Sequence, residues 1–125
     1  MSSGRAHNVR VRVLVVEDHV ALANRIGEGL RDAGFAVDVV YDGAAALDST
    51  SITEYDVLVL DRDLPGVHGD RVCRQLVRNG SPTRVVKIET PTIARRGELR
   101  KPKDPAELER AVDGIVDYLQ KLELL

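Results

Sequence analysis

Four acids stand at places where a carboxylate needs a reason. Glu17 and Asp18 follow directly on the apolar run Val13-Leu14-Val15-Val16. Asp61 ends the run Val57-Leu58-Val59-Leu60, and Asp63 comes two residues later, before a Leu64-Pro65-Gly66 break. A single Asp after a strand is most often a turn former or a helix cap. Two acidic ends in one chain are a different matter, because carboxylates drawn together repel and keep their charge only beside something positive. A hard divalent cation answers that need: Mg²⁺ takes oxygen ligands, uses few carboxylates and keeps several waters. A carboxylate left short of full neutralisation can act as a nucleophile, and aspartate can be phosphorylated at that group. Lys101, in Leu99-Arg100-Lys101-Pro102, could hold a transferred phosphoryl group, and Thr90 offers a hydroxyl to the same site.

The surrounding pattern says what must position these groups. Residues 9–16 alternate at first and then become wholly apolar, as in a strand buried on both faces of a parallel sheet. Residues 19–33 read as a helix, with Leu22, Ile26 and Leu30 on one face and Gly34 just past its end. Further strands are expected at 35–41, 56–60 and 83–89, and a short fifth within 97–102. Helices are expected from Ala44 to Thr50 and over 69–80, the latter stopped by Gly80. The final helix carries its own start signal: Asp104 can cap, Pro105 suits the first turn and Glu107 completes a capping box. Leu108, Val112, Ile115, Leu119 and Leu122 mark its apolar face.

Strands alternating with helices predict an α/β fold, a doubly wound parallel sheet of five strands in the order 2-1-3-4-5. In such sheets ligands bind outside the carboxyl ends of the strands. The first and third strands are neighbours in that order. Glu17, Asp18 and Asp61 are therefore expected to converge.

Bulk properties exclude several classes. The 125 residues suit one domain, with 43% apolar and 30% charged residues. Residues 1–8 read as a disordered leader and 9–125 as the single domain. The formal net charge of -2 gives no basic excess for nucleic-acid binding, and the few aromatics argue against a base-stacking platform. No apolar run is long enough to cross a membrane. The lone Cys73 forms no internal disulfide, which fits a cytoplasmic setting, and its place on a helical apolar face marks a small buried hydrophobe. His7, His19 and His68 lack metal-ligand spacing and read as loop or cap residues.

The stretches 13–19 (VLVVEDH), 58–76 (LVLDRDLPGVHGDRVCRQL) and 101–112 (KPKDPAELERAV) resemble response-regulator receiver domains of bacterial two-component signalling. The wording of the middle stretch is most similar to receivers of winged-helix DNA-binding regulators. The resemblance implies a flavodoxin-like fold and a phosphoacceptor module that is not an enzyme, with at most slow self-catalysed phosphorylation and dephosphorylation. It implies that Asp61 accepts phosphate from a histidine kinase. It assigns Glu17 and Asp18 to Mg²⁺ binding, with Asp18 and Asp61 as direct ligands and the backbone carbonyl of Asp63 as another. Lys101 would contact the phosphoryl group.

The match breaks between 86 and 103. Receivers end their fourth strand in Ser or Thr followed by Ala and then run a helix; here the text is KIETPTIARRGELRKP. The hydroxyl position falls on Thr90 or on Glu89. The fourth helix is expected to be missing or reduced, because a parallel crossover needs about a dozen residues. The aromatic expected on the fifth strand is replaced by Glu98-Leu99-Arg100. These departures admit a second reading, a degenerate or recombined receiver-like scaffold that does not switch. A third reading takes Asp61 and Asp63 as the paired acids of a haloacid-dehalogenase-type phosphatase. The shortened segment also predicts uncovered apolar surface and a homodimer formed through residues 85–125. The sequence ends at Leu125 without an effector domain, as expected of a stand-alone or excised receiver.

Overall fold

The computed structural model describes residues 10–61, 64, 69–88, 93–95, 98–100 and 105–122. The elements run β1 (Arg12–Val16), α1 (Val20–Asp32), β2 (Ala36–Val40), α2 (Gly43–Ile52), β3 (Val57–Asp61), α3 (Gly69–Arg78), β4 (Arg84–Ile88), β5 (Ile93–Arg95), β6 (Glu98–Arg100) and α4 (Pro105–Gln120). The first four strands form one parallel sheet in the order β2-β1-β3-β4.

Strand alternation divides the interior into two layers. Val13 and Val15 of β1 join Val57 and Val59 of β3 beneath Leu22, Ile26 and Leu30 of α1 and Val112 and Leu119 of α4. Leu14, Val16, Leu58 and Leu60 point the other way, against Ala46 of α2 and Val72 and Leu76 of α3. All five residues of β3 are buried. That burial explains the unbroken apolar run: a central strand with helices on both faces has no wet side.

The helix boundaries follow from local chemistry. His19 caps α1, its Nδ1 accepting from the backbone N–H of Leu22 at 3.1 Å, so this cap falls to the histidine and not to Asp18. Gly34, at φ 102°, reverses the chain after α1, and Gly80, at φ 67°, does the same after α3. Asp42 caps α2 by accepting from Ala45 N–H at 2.7 Å. Arg25 of α1 donates to Glu109 of α4 at 2.7 Å, tying these two helices together on their solvent side.

The fifth strand departs from the sequence expectation. Glu98–Arg100 is a strand, but it pairs antiparallel with Ile93–Arg95, so that Ile93 faces Arg100 and Arg95 faces Glu98. Only two residues separate β5 from β6, which suits a hairpin. A parallel return to β4 needs a far longer crossover. Among the described residues no helix lies between Ile88 and Pro105, in keeping with the missing fourth helix, and β4 is the edge of the parallel sheet.

Candidate metal and phosphoacceptor site

The register of the sheet brings the acids together. Val16 pairs with Leu60 across β1 and β3, so the chain segments that carry Glu17-Asp18 and Asp61 leave the same edge side by side. One carboxylate oxygen from each of Glu17, Asp18 and Asp61 lies within 4.8 Å of the other two. Among the described residues no other group of three metal-ligating side chains gathers in this way. Glu17 and Asp61 are completely buried, while Asp18 is half-buried with its Oδ1 enclosed.

Glu17 is held from two sides. Its N–H donates to Val40 O at 3.2 Å, extending the ladder to β2 by one residue. Its Oε2 accepts from His19 N–H at 2.9 Å, which locks the turn into α1. The same His19 that caps the helix therefore also fixes the acid beside it. Asp61 is positioned by β3 itself, abreast of Ile88 on β4.

Carboxylates gathered this closely favour a positive partner, because like charges repel. Oxygen ligands around Mg²⁺, at about 2.1 Å from the ion, lie roughly 3–4 Å from one another. Three oxygens already within 4.8 Å need only small rotations to reach that spacing. The donor set, all carboxylate oxygen, is also the kind a hard cation takes. These residues fit the ion that the sequence resemblance implies.

The remaining residues expected at the site, Asp63, Thr90 and Lys101, lie outside the described residues, as do Glu89, Asp104, His7 and His68. Cys73 is half-buried against the α2–α3 layer, and burial pushes its thiol pKa up, as befits a packing residue. Lys87, which the sequence reading left aside, stands beside Leu60, and its Nζ pairs with Asp70 Oδ1 at 3.3 Å.

Comparison with known proteins identifies the family of the chain. Residues 13–121 match the response regulator receiver domain family. The chain belongs to that family. The transcriptional regulatory protein CutR of Streptomyces coelicolor is 60% identical to it over 78 residues, which are 62% of this receiver and 36% of CutR. The DNA-binding response regulator MtrA of Mycobacterium leprae is 37% identical over 86 residues, 68% of this receiver and 38% of MtrA. The receiver thus spans little more than a third of the curated relatives it matches. Among solved structures, a CheY-like response regulator receiver domain from Methylobacillus flagellatus is 28% identical and has a TM-score of 0.61, with 86% of this chain and 99% of that one covered. The response regulator TrrA of Thermotoga maritima, solved in complex with Mg²⁺-BeF, shares the fold at a TM-score of 0.66 and 22% identity over 91% of this chain and 98% of that one. No described helix is long and apolar enough to cross a membrane.

Proposed function

We propose that this receiver is a phosphoacceptor whose Asp61 takes a phosphoryl group from a histidine kinase in a Mg²⁺-dependent step. The observation that carries the reading is the convergence of Glu17, Asp18 and Asp61 at the carboxyl ends of two adjacent strands. In the proposed step a carboxylate oxygen of Asp61 attacks the phosphorus of a phosphohistidine. The P–N bond breaks, its electron pair leaves with the imidazole, and the ring takes up a proton. Glu17, Asp18 and Asp61, with the backbone carbonyl of Asp63, would hold Mg²⁺, which when bound would neutralise charge on the phosphoryl oxygens. Lys101 would add a second positive charge to those oxygens, and Thr90 a hydroxyl donor.

The burial of Asp61 supports a nucleophile shielded from bulk water, where fixed charges act more strongly. The phosphatase reading leaves Glu17 and Asp18 without a role, although both lie against Asp61. The receiver reading uses all three.

The direct test is incubation with acetyl phosphate and Mg²⁺, followed by intact mass. One phosphoryl group per chain is expected. Absence of labelling at every donor concentration would favour the non-switching scaffold, and steady turnover of a phosphate ester would favour the phosphatase.

A further inference from the structure

α3 carries its positive charge on one side. Val72 and Leu76 are buried against the sheet, while Arg71, Arg74 and Arg78 are exposed. At 3.6 residues per turn these three positions fall within about 60° of one another and span about 10 Å along the helix axis. Together with Gln75 they line a recess of about 290 Å³, with room for carboxylates between the guanidinium groups.

Other cations of this chain are matched internally. Arg25 meets Glu28 and Glu109, Arg31 donates to Val37 O, Arg84 donates to Leu122 O, and Lys121 pairs with Asp117. Among the described residues none of the three α3 arginines pairs with a carboxylate. The one acid of α3, Asp70, is engaged by Lys87 at 3.3 Å. Like charges three and four residues apart weaken a helix, and Arg71 stands in the first turn, where the helix dipole disfavours a cation. Helix propensity does not account for the stripe, because Gln, Glu and Leu serve about as well.

We propose that the outer face of α3 docks an acidic amphipathic helix of another protein. Carboxylates at positions i, i+3 and i+7 of such a helix cover the same length and form an equally narrow stripe. Arginine suits the pairing, since its planar fork takes a carboxylate through two N–H bonds. Exposed ion pairs are individually weak, so the contact also needs an apolar anchor. Val77, 79% exposed, stands on the flank of the stripe three residues after Arg74. A leucine on the docked helix would cover it. A DNA duplex fits less well: it carries one charge per about 1.7 Å of its axis and would meet a chain whose formal net charge is -2. The surface uses none of the residues at the acidic cluster, so the inference goes beyond the phosphoacceptor reading and does not depend on it.

Fluorescence anisotropy with the full chain and a labelled synthetic helix tests it. The probe carries Glu at i, i+3 and i+7 with a flanking Leu, and a control of the same composition spreads its Glu residues around the helix. At low salt the probe should bind about ten-fold more tightly than the control, and high salt should erase the difference. Arg71→Ala, Arg74→Ala and Arg78→Ala together should abolish the preference without lowering the melting temperature, because alanine is the best helix former. Arg74→Glu should weaken the Glu probe and strengthen a Lys probe of the same spacing, an exchange that a folding defect would not produce. Equal binding of probe and control overturns the proposal, as does a preference that survives the triple substitution. No binding of the probe at millimolar concentration overturns it too. A short DNA duplex that binds through the same arginines more tightly than the probe would make the partner a nucleic acid and overturn it as well.

Discussion

Val16 and Leu60 are register partners in the parallel pairing of β1 and β3, and each is followed at once by an acid. That relationship makes the site. A shift of one residue in either strand would carry one acid away from the other and turn a buried apolar residue toward the opposite layer. The packing of Val13, Val15, Val57 and Val59 on one face and Leu14, Val16, Leu58 and Leu60 on the other therefore fixes the acids as firmly as it fixes the core.

Magnesium should stabilise the native state, since the carboxylates converge only when β1 and β3 are paired. At ten times its dissociation constant a ligand that binds the native form alone adds about 1.4 kcal/mol. For a chain of 125 residues that is roughly 3–6 °C in melting temperature. Asp18→Asn should remove most of the gain, because it deletes a ligand charge without touching the core. A thermal melt with and without millimolar Mg²⁺ reads the effect directly. Equal gains in the wild type and Asp18→Asn would show that the ion binds elsewhere.

Asp61 should be the sole site of phosphorylation by acetyl phosphate or phosphoramidate. It alone ends the central strand with Glu17 and Asp18 beside it. Asp61→Asn keeps the shape of the side chain and removes the nucleophile. The variant should stay folded and gain no mass. Labelling that persists in it would move the acceptor to another residue.

Much of this architecture could be read from the residues, and the limits have physical causes. β1 and β3 announced themselves because a strand buried on two faces leaves a run such as Val57 to Leu60 that no helix of that length needs. α4 was legible from its Pro105-Glu107 start and the apolar face that ends at Leu119 and Leu122. The cap of α1 was harder. Asp18 is the commoner capping type, but Nδ1 of His19 takes the bond to Leu22 N–H. Strand propensity at Glu98–Arg100 was visible, but its partner was not. Pairing depends on the length of the link, and two residues favour the neighbouring Ile93–Arg95 over the distant β4. The acidic cluster was legible because topology, not propensity, brings Glu17, Asp18 and Asp61 together.

Two glycines should respond to alanine with opposite signs. At Gly29 of α1 an added Cβ would lie 2.7 Å from Cγ1 of Val112 and 3.1 Å from Cγ2 of Val116, both on α4. The helices would have to part, at a cost of about 1–3 kcal/mol that outweighs the gain in helix propensity, about 1 kcal/mol. At Gly114 nothing stands within 4 Å, so Gly114→Ala keeps that gain. Urea unfolding at low protein concentration should place Gly29→Ala below the wild type and Gly114→Ala above it. A stabilised Gly29→Ala would mean that α1 and α4 pack less closely than the distances state.

Alkaline pH should weaken the fold through Tyr55. This side chain is 3% exposed and donates its hydroxyl to Asp38 Oδ2 at 2.6 Å. Burial, and then the hydrogen bond and the charge of Asp38, raise its pKa from the ordinary 10 to about 12. Thr53 and Arg12 act in the opposite sense, more weakly. The sign follows from proton counting. Between pH 10 and 12 the unfolded chain has lost the phenolic proton while the native chain retains it, so stability falls as pH rises. The contribution is complete below pH 10 and is lost by about pH 12, on the order of 2–3 kcal/mol in all. Tyr55→Phe deletes the titrating group. At neutral pH it should cost only about 1 kcal/mol, because Asp38 lies on the exposed side of β2 and can turn to water. Above pH 10 its stability should decline less steeply than that of the wild type, with the difference traced by urea midpoints at half-unit steps. Parallel pH curves for the two proteins would show that Tyr55 ionises as readily in the native state as in the unfolded chain.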